Sequence, residues 1–169
     1  MEEYSKALEL FQKTLEIQQK SLSSNHPNLA TTYNNLGLVH DNMKEYSKAL
    51  ELYHKALEIE QQSLSPNHPG LATTYSNIGI VHNNMGDYSK ALECLQKTLE
   101  IEQKSLPPNH PSLANTYNNI GSVHDNMGEY SKALSFVERA IEISQHLLPQ
   151  NHPDLQLYRK NLGELRKKL

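Results

Sequence analysis

Apolar residues return along this chain at helical spacing, in blocks separated by short polar stretches. Between residues 23 and 64, Leu29, Tyr33, Leu36, His40 and Met43 fall at spacings of four, three, four and three. That places them on one face of a helix over residues 28–42. Beyond Glu45 the apolar set widens to Tyr46, Ala49, Leu50, Leu52, Tyr53, Ala56, Leu57 and Ile59. A helix apolar over so much of its circumference, here 45–64, touches neighbours on more than one side. Ala49 and Ala56 lie on one line and permit close helix approach. Glu51 and Lys55 form an (i, i+4) pair in the favourable order, and Glu9–Lys13 and Glu93–Lys97 repeat it. The Glu and Lys of these second helices read as solvated pairs on an outer face, worth little to stability.

This block is one copy of a repeat. The tract Tyr-Ser-Lys-Ala-Leu begins at Tyr4, Tyr46, Tyr88 and Tyr130, and Asn-His-Pro begins at Asn25, Asn67, Asn109 and Asn151, always 42 residues apart. A fixed period of this length denotes a solenoid, in which each unit buries its core against the next and the stack presents an extended groove. The repeat fills all 169 residues, so the predicted organisation is a single solenoid. It divides into a half-repeat over 1–22, repeats over 23–64, 65–106 and 107–148, and a C-terminal half-repeat over 149–169. The predicted helices are 2–22, 28–42, 45–64, 70–84, 87–106, 112–126, 129–148 and 154–168.

The punctuation agrees with these boundaries. Pro27 suits a first helical position, where a missing N–H loses nothing. Gly86 and Gly128 follow the first helices of their copies and read as C-terminal caps. Lys44 stands at the equivalent place in the earlier copy. If it keeps the same left-handed turn it carries roughly 1 kcal/mol of backbone strain.

These residues resemble the tetratricopeptide repeat. The matching run is Tyr33, Leu36-Gly37, His40, Glu45-Tyr46, Ala49, Tyr53 and Ala56. The next copy reads Tyr75, Ile78-Gly79, His82, Gly86-Asp87-Tyr88, Ala91, Leu95 and Thr98; the third reads Tyr117, Ile120-Gly121, His124, Gly128-Glu129-Tyr130, Ala133, Val137 and Ala140. The common form of that repeat is eight residues shorter than this one. The extra length, with a His-Pro leading into each first helix, is similar to the kinesin light chain subclass. No heptad segment for binding a kinesin heavy chain is present. The resemblance implies an all-α, right-handed superhelix of antiparallel helix pairs, with first helices lining a concave face that binds peptides.

On that implied face the first copy presents Thr31, Asn34, Asn35, Leu38, Asp41 and Asn42. The second presents Thr73, Ser76, Asn77, Ile80, Asn83 and Asn84, and the third Asn115, Asn118, Asn119, Ser122, Asp125 and Asn126. Asparagine dominates, although it is a poor helix former. Its amide both donates and accepts, so a ladder of amides can bracket the backbone of an extended peptide. Leu38 and Ile80 then seat an apolar side chain between the polar rungs. The candidate groove is Asn34, Asn35, Leu38, Asn42, Asn77, Ile80, Asn84, Asn118, Asn119 and Asn126. Lys and Arg are missing from the set. Clamping a C-terminal carboxylate would need them, as would holding an acidic cargo peptide.

Composition narrows the partners. The net charge is −3 and the only basic cluster is Arg166-Lys167-Lys168 at the C-terminus, which argues against nucleic acid. There is one cysteine, and no signal peptide or long apolar run is evident, so a cytoplasmic, non-membrane protein is expected. Two histidine ladders, His26, His68, His110, His152 and His40, His82, His124, repeat at a spacing too wide to share an ion. The first ladder is expected to orient the loops and the second to replace a packing aromatic. Cys94, equivalent to Leu52 and Phe136, reads as a small buried thiol. No catalytic constellation recurs, and no metal or cofactor is expected.

At the C-terminal end Arg159 replaces the helix aromatic and Tyr158 stands one place earlier. At the other end, the helix carrying Tyr4, Leu8, Phe11 and Leu15 lacks a first-type helix before it. That motivates the alternative of a structural scaffold or self-association segment of a larger regulated protein, with self-association expected through this helix.

Overall fold

The computed structural model describes the backbone of residues 2–169 and the side chains from Glu3 onward. Its elements, among the described residues, are eight α-helices and no strand: α1 (Glu2–Ser21), α2 (Pro27–Asn42), α3 (Tyr46–Ser63), α4 (Pro69–Asn84), α5 (Tyr88–Ser105), α6 (Pro111–Asn126), α7 (Tyr130–Ser144) and α8 (Pro153–Leu165). The repeat phase holds from α2 through α6. Helix α7 stops at Ser144, short of the predicted 148, because residues 145–147 form a turn in which the Leu147 and Leu148 N–H groups both reach the Ser144 carbonyl. None of the described helices is long and apolar enough to cross a membrane.

Each first-type helix begins on the same device. The loop histidine takes the N-cap position in extended backbone, and proline follows at the first helical position. Its Nδ1 accepts from the backbone N–H two residues on: Asn28 to His26 at 3.2 Å, Gly70 to His68 at 3.0 Å, Ser112 to His110 at 3.2 Å, and Asp154 to His152 at 3.3 Å. Histidine thus does what Ser, Thr, Asp or Asn usually does, satisfying an orphan donor of the first turn.

Each of α2, α4 and α6 ends in a Schellman turn. In the first, the Glu45 N–H reaches back to the His40 carbonyl (2.9 Å) and the Lys44 N–H to Asp41 (2.7 Å). This closure needs a left-handed residue, supplied by Gly86 at φ 81° and Gly128 at φ 76°. Lys44 adopts the same conformation at φ 61°, so the expected strain is present.

Within a pair the helices approach over glycine. A Cβ built on Gly37 would lie 2.6 Å from Tyr53 Cε1, one on Gly79 2.9 Å from Leu95 Cγ, and one on Gly121 2.8 Å from Val137 Cγ2. Tyr53, Leu95 and Val137 are accordingly sealed, as are Ala49, Ala91 and Ala133. Helices α3, α5 and α7 each pack on a first-type helix at either side, as their wide apolar set requires; α3, for example, lies between α2 and α4. Successive first-type helices also approach one another closely, whereas successive second-type helices stand farther apart, among the described residues. The stack therefore curves with the first-type helices inside and the second-type helices splayed on the convex side. On α1, Leu10 and Ile17 are 64% and 67% exposed, while of the phase equivalents of Ile17, Ile59 is half-buried and Ile101 and Ile143 are buried.

Candidate functional site on the concave face

The inner face is built by α2, α4, α6 and α8, and its polar residues divide into two groups. One group joins neighbouring first-type helices at a step of 43 residues. Asn126 Nδ2 donates to Asn83 Oδ1 (2.9 Å), Asn161 Nδ2 to Asn118 Oδ1 (2.9 Å), and the Tyr158 hydroxyl to Asn115 Oδ1. Lys168 Nζ donates to both oxygens of Asp125, at 2.6 and 2.8 Å. Asn84 bonds Asp41 in the same register; burial is the larger influence and pushes the Asp41 carboxyl above its ordinary range. These contacts cross-brace the curve.

Two predicted groove residues lie elsewhere than expected. Asn34 turns into the seam between repeats, where its Nδ2 donates to Thr74 Oγ1 (2.7 Å) and Glu60 Oε1 (3.2 Å). Asn118 is 7% exposed and engaged by Asn161. Both serve the stack, because successive layers rotate and bring the next first helix over part of the face assigned to ligand.

The second group remains available. Asn35, Asn77 and Asn119 are half-buried, and no hydrogen bond engages their side chains among the described residues. Asn42 is exposed, and Leu38 is 47% exposed. Ile80 and Asn119 share a recess of about 190 Å³ with Asn83, Asn84 and Ser122, floored by Leu95 and Val123. Of the predicted set, the structure thus brings Ile80, Asn84 and Asn119 around one hollow.

The seams contain groups the sequence reading missed. Glu60 and Glu102 are 5% and 8% exposed, not solvated partners of lysine as expected for second-helix glutamates. Each accepts from the Thr hydroxyl fourteen residues on, Thr74 and Thr116, at 2.7 Å. Burial raises both carboxyls above their ordinary range, and these hydrogen bonds partly oppose it. Gln18 and Thr32 make the neutral version of the same pair at 2.7 Å. The recurrence of Gln or Glu fourteen residues before Thr was visible in the sequence. In the last seam, Ser144 and Tyr158 hold the equivalent positions, small and large exchanged.

The surface pairs Glu9–Lys13, Glu51–Lys55 and Glu93–Lys97 form as expected, at 2.5, 2.7 and 2.9 Å. Cys94 is half-buried rather than sealed, and burial raises its thiol pKa.

The tetratricopeptide repeat family model matches this chain three times, over residues 1–59, 39–104 and 72–146. The chain belongs to the tetratricopeptide repeat family. Similar folds occur in the solved structure of a Podosopora anserina putative kinesin light chain with nearly identical repeats, 22% identical with a TM-score of 0.80. The match covers 98% of this chain and 78% of that one. BtubC (BKLC) from P. vanneervenii is 25% identical with a TM-score of 0.87, covering 98% of this chain and 66% of that one. No curated protein matches the sequence. The fold is therefore an all-α tetratricopeptide repeat superhelix similar to that of the putative kinesin light chain, and such repeats indicate a protein-interaction scaffold. This repeat fold is typically non-enzymatic.

Proposed function

We propose that the chain is a non-catalytic, cytoplasmic interaction module that holds an extended peptide along its concave face. The observation that carries this reading is the row of unengaged amides at Asn35, Asn77 and Asn119, set beside Leu38 and the Ile80 recess. Packed helices stand roughly 10 Å apart, and an extended chain advances about 3.3 Å per residue. One amide per layer therefore meets a peptide backbone once every three residues or so. Groove charge is already spent: Asp125 is paired with Lys168 and Asp41 is bonded to Asn84. The preferred segment is accordingly uncharged, with apolar side chains for the recess. The test is a peptide-library screen followed by Asn77→Ala and Asn119→Ala in the full chain. Each substitution is expected to weaken captured peptides roughly tenfold, the effect of losing a well-made hydrogen-bond pair. Peptide binding that is unchanged in both variants overturns the reading.

A second reading, self-association through α1, is favoured by exposed Leu10 and Ile17. Gly163 in α8 adds to it: a Cβ there meets nothing, although its equivalents each face a following helix. The surface on α1 is thus of the kind that α8 lacks. Light scattering at high micromolar concentration tests this. A monomer mass, or assembly unchanged by Leu10→Lys with Ile17→Lys, counts against it.

A further inference from the structure

The convex side carries a cleft that the concave groove does not involve. It lies between the splayed helices α3 and α5, over α4, and has a volume of about 360 Å³. Ile78 and Cys94 line it, with Tyr75 and His82 on α4, His54 on α3 and Lys97 on α5. A void of about 150 Å³ suffices for benzene in an engineered cavity of another protein, so a six-membered ring fits here with room to spare.

The next repeat shows what belongs in this place. There Phe136, the phase equivalent of Cys94, stacks on His124 with ring centroids 5.3 Å apart and planes at 15°. It also lies 6.3 Å from the Tyr117 ring. The middle repeat keeps the receiving residues, His82 for His124 and Tyr75 for Tyr117, but presents only a thiol between them.

A second substitution acts at the same spot. His40 and His124 are pinned through Nδ1 to Glu45 and Glu129 at 2.6 and 2.7 Å. In the middle repeat the acid is Asp87, one methylene shorter, and its oxygen stands 3.7 Å from His82 Nδ1. His82 is 8% exposed, and that buried nitrogen has no hydrogen-bond partner. Burial lowers the His82 pKa, which keeps the ring neutral and suited to stacking. The rim charges are already paired, Lys90 with Asp87 at 2.8 Å and Lys97 with Glu93 at 2.9 Å. Lys97 also lies 5.5 Å over the Tyr75 ring. The cleft therefore selects by ring shape and not by charge.

We infer that this convex cleft is a slot for an aromatic side chain of a partner protein, whose ring takes the place that Phe136 fills one repeat later. The test is a titration of isotopically labelled full chain with N-acetyl-L-phenylalaninamide, following the His82 ring and the Ile78 methyl groups by NMR. Saturable shifts are expected, with affinity about fivefold above that for N-acetyl-L-leucinamide, as a ring–ring contact gives. Cys94→Phe should abolish them by filling the slot from within, and Cys94→Ala should keep them. Should Cys94→Phe fail to fold, Cys94→Leu, the side chain of the first copy, must weaken the response. Absence of saturation in the wild type, or undiminished shifts in the filled variants, overturns the proposal. So does an equal response to the leucine amide. Binding of free indole with no response to the peptide Gly-Gly-Phe-Gly-Gly also overturns it, since the slot would then admit only loose rings.

Discussion

The glycines of the first-type helices offer one chemical change in two environments, and it should have opposite signs in them. Gly→Ala in a helix interior gains up to about 1 kcal/mol from backbone propensity. At Gly163 nothing lies within reach of an added Cβ, so this gain stands alone, reduced to roughly 0.5 kcal/mol by the frayed last turn. At Gly79 the new methyl would sit 2.9 Å from Leu95 Cγ and 3.2 Å from the Ala91 carbonyl oxygen. Neither is the free end of a flexible chain, and Leu95 is fully buried. Relief requires the α4–α5 pair to part, which costs about 1–3 kcal/mol in a close-packed core. The net expectation is that Gly79→Ala loses about 1 kcal/mol while Gly163→Ala gains about half that. Urea unfolding followed by circular dichroism reads both. Because solenoid repeats unfold as coupled neighbours rather than one unit, hydrogen exchange in α4 and α5 localises the loss. Stabilisation by Gly79→Ala comparable to that of Gly163→Ala would refute the packing argument.

Substitutions at three further positions test other devices in the repeat. Lys44→Gly removes a left-handed lysine and should stabilise by about 0.5–1 kcal/mol in the same urea assay. His110→Ala deletes the acceptor for the Ser112 N–H and should destabilise by about 1 kcal/mol, with His110→Asn recovering most of it. Glu60→Gln addresses pH. The folded carboxyl binds its proton more tightly than an ordinary one because of burial, so the native state holds that proton where the unfolded chain has released it. Wild-type stability therefore falls as pH rises from the ordinary carboxylate range through the raised one. The glutamine variant should lose that slope and melt higher than wild type above it, as Gln18 with Thr32 already shows a neutral pair to be compatible with the seam. Identical pH profiles for thermal melting would count against this.

The helices were readable because their periodicity, proline starts and glycine stops repeat in phase, so each copy checks the others. The Schellman turn at Lys44 was readable for the same reason. What a single copy hides is the rotation between layers. Asn34 and Asn118 share the helical face of Asn35 and Asn119, and only the placement of the next first helix, which brings Thr74 to Asn34 and Asn161 to Asn118, decides which amide is used inside the stack. The burial of Glu60 and Glu102 was obscured by charge: on a surface-like helix a glutamate reads as solvated until the threonine that receives it is placed. The convex cleft arises from what Cys94 and Asp87 lack relative to their sister copies, and a deficit becomes a cavity only when the surrounding helices are in position.

The exchange of sizes at Ser144 and Tyr158 bears on how the chain finds its order. Copies this alike give every first helix several nearly equivalent partners, and a docking error of one whole repeat would satisfy most of the same contacts. Tyr158 would meet the carboxylate of Glu102 if α8 closed one layer early, and Thr116 would leave a hole if α6 settled against Ser144. The mismatched seam should therefore act as a key that α8 alone fits, biasing the order of layers during assembly. Restoring the common pair there, with Ser144→Glu and Tyr158→Thr, should leave the layers more interchangeable and refolding less faithful.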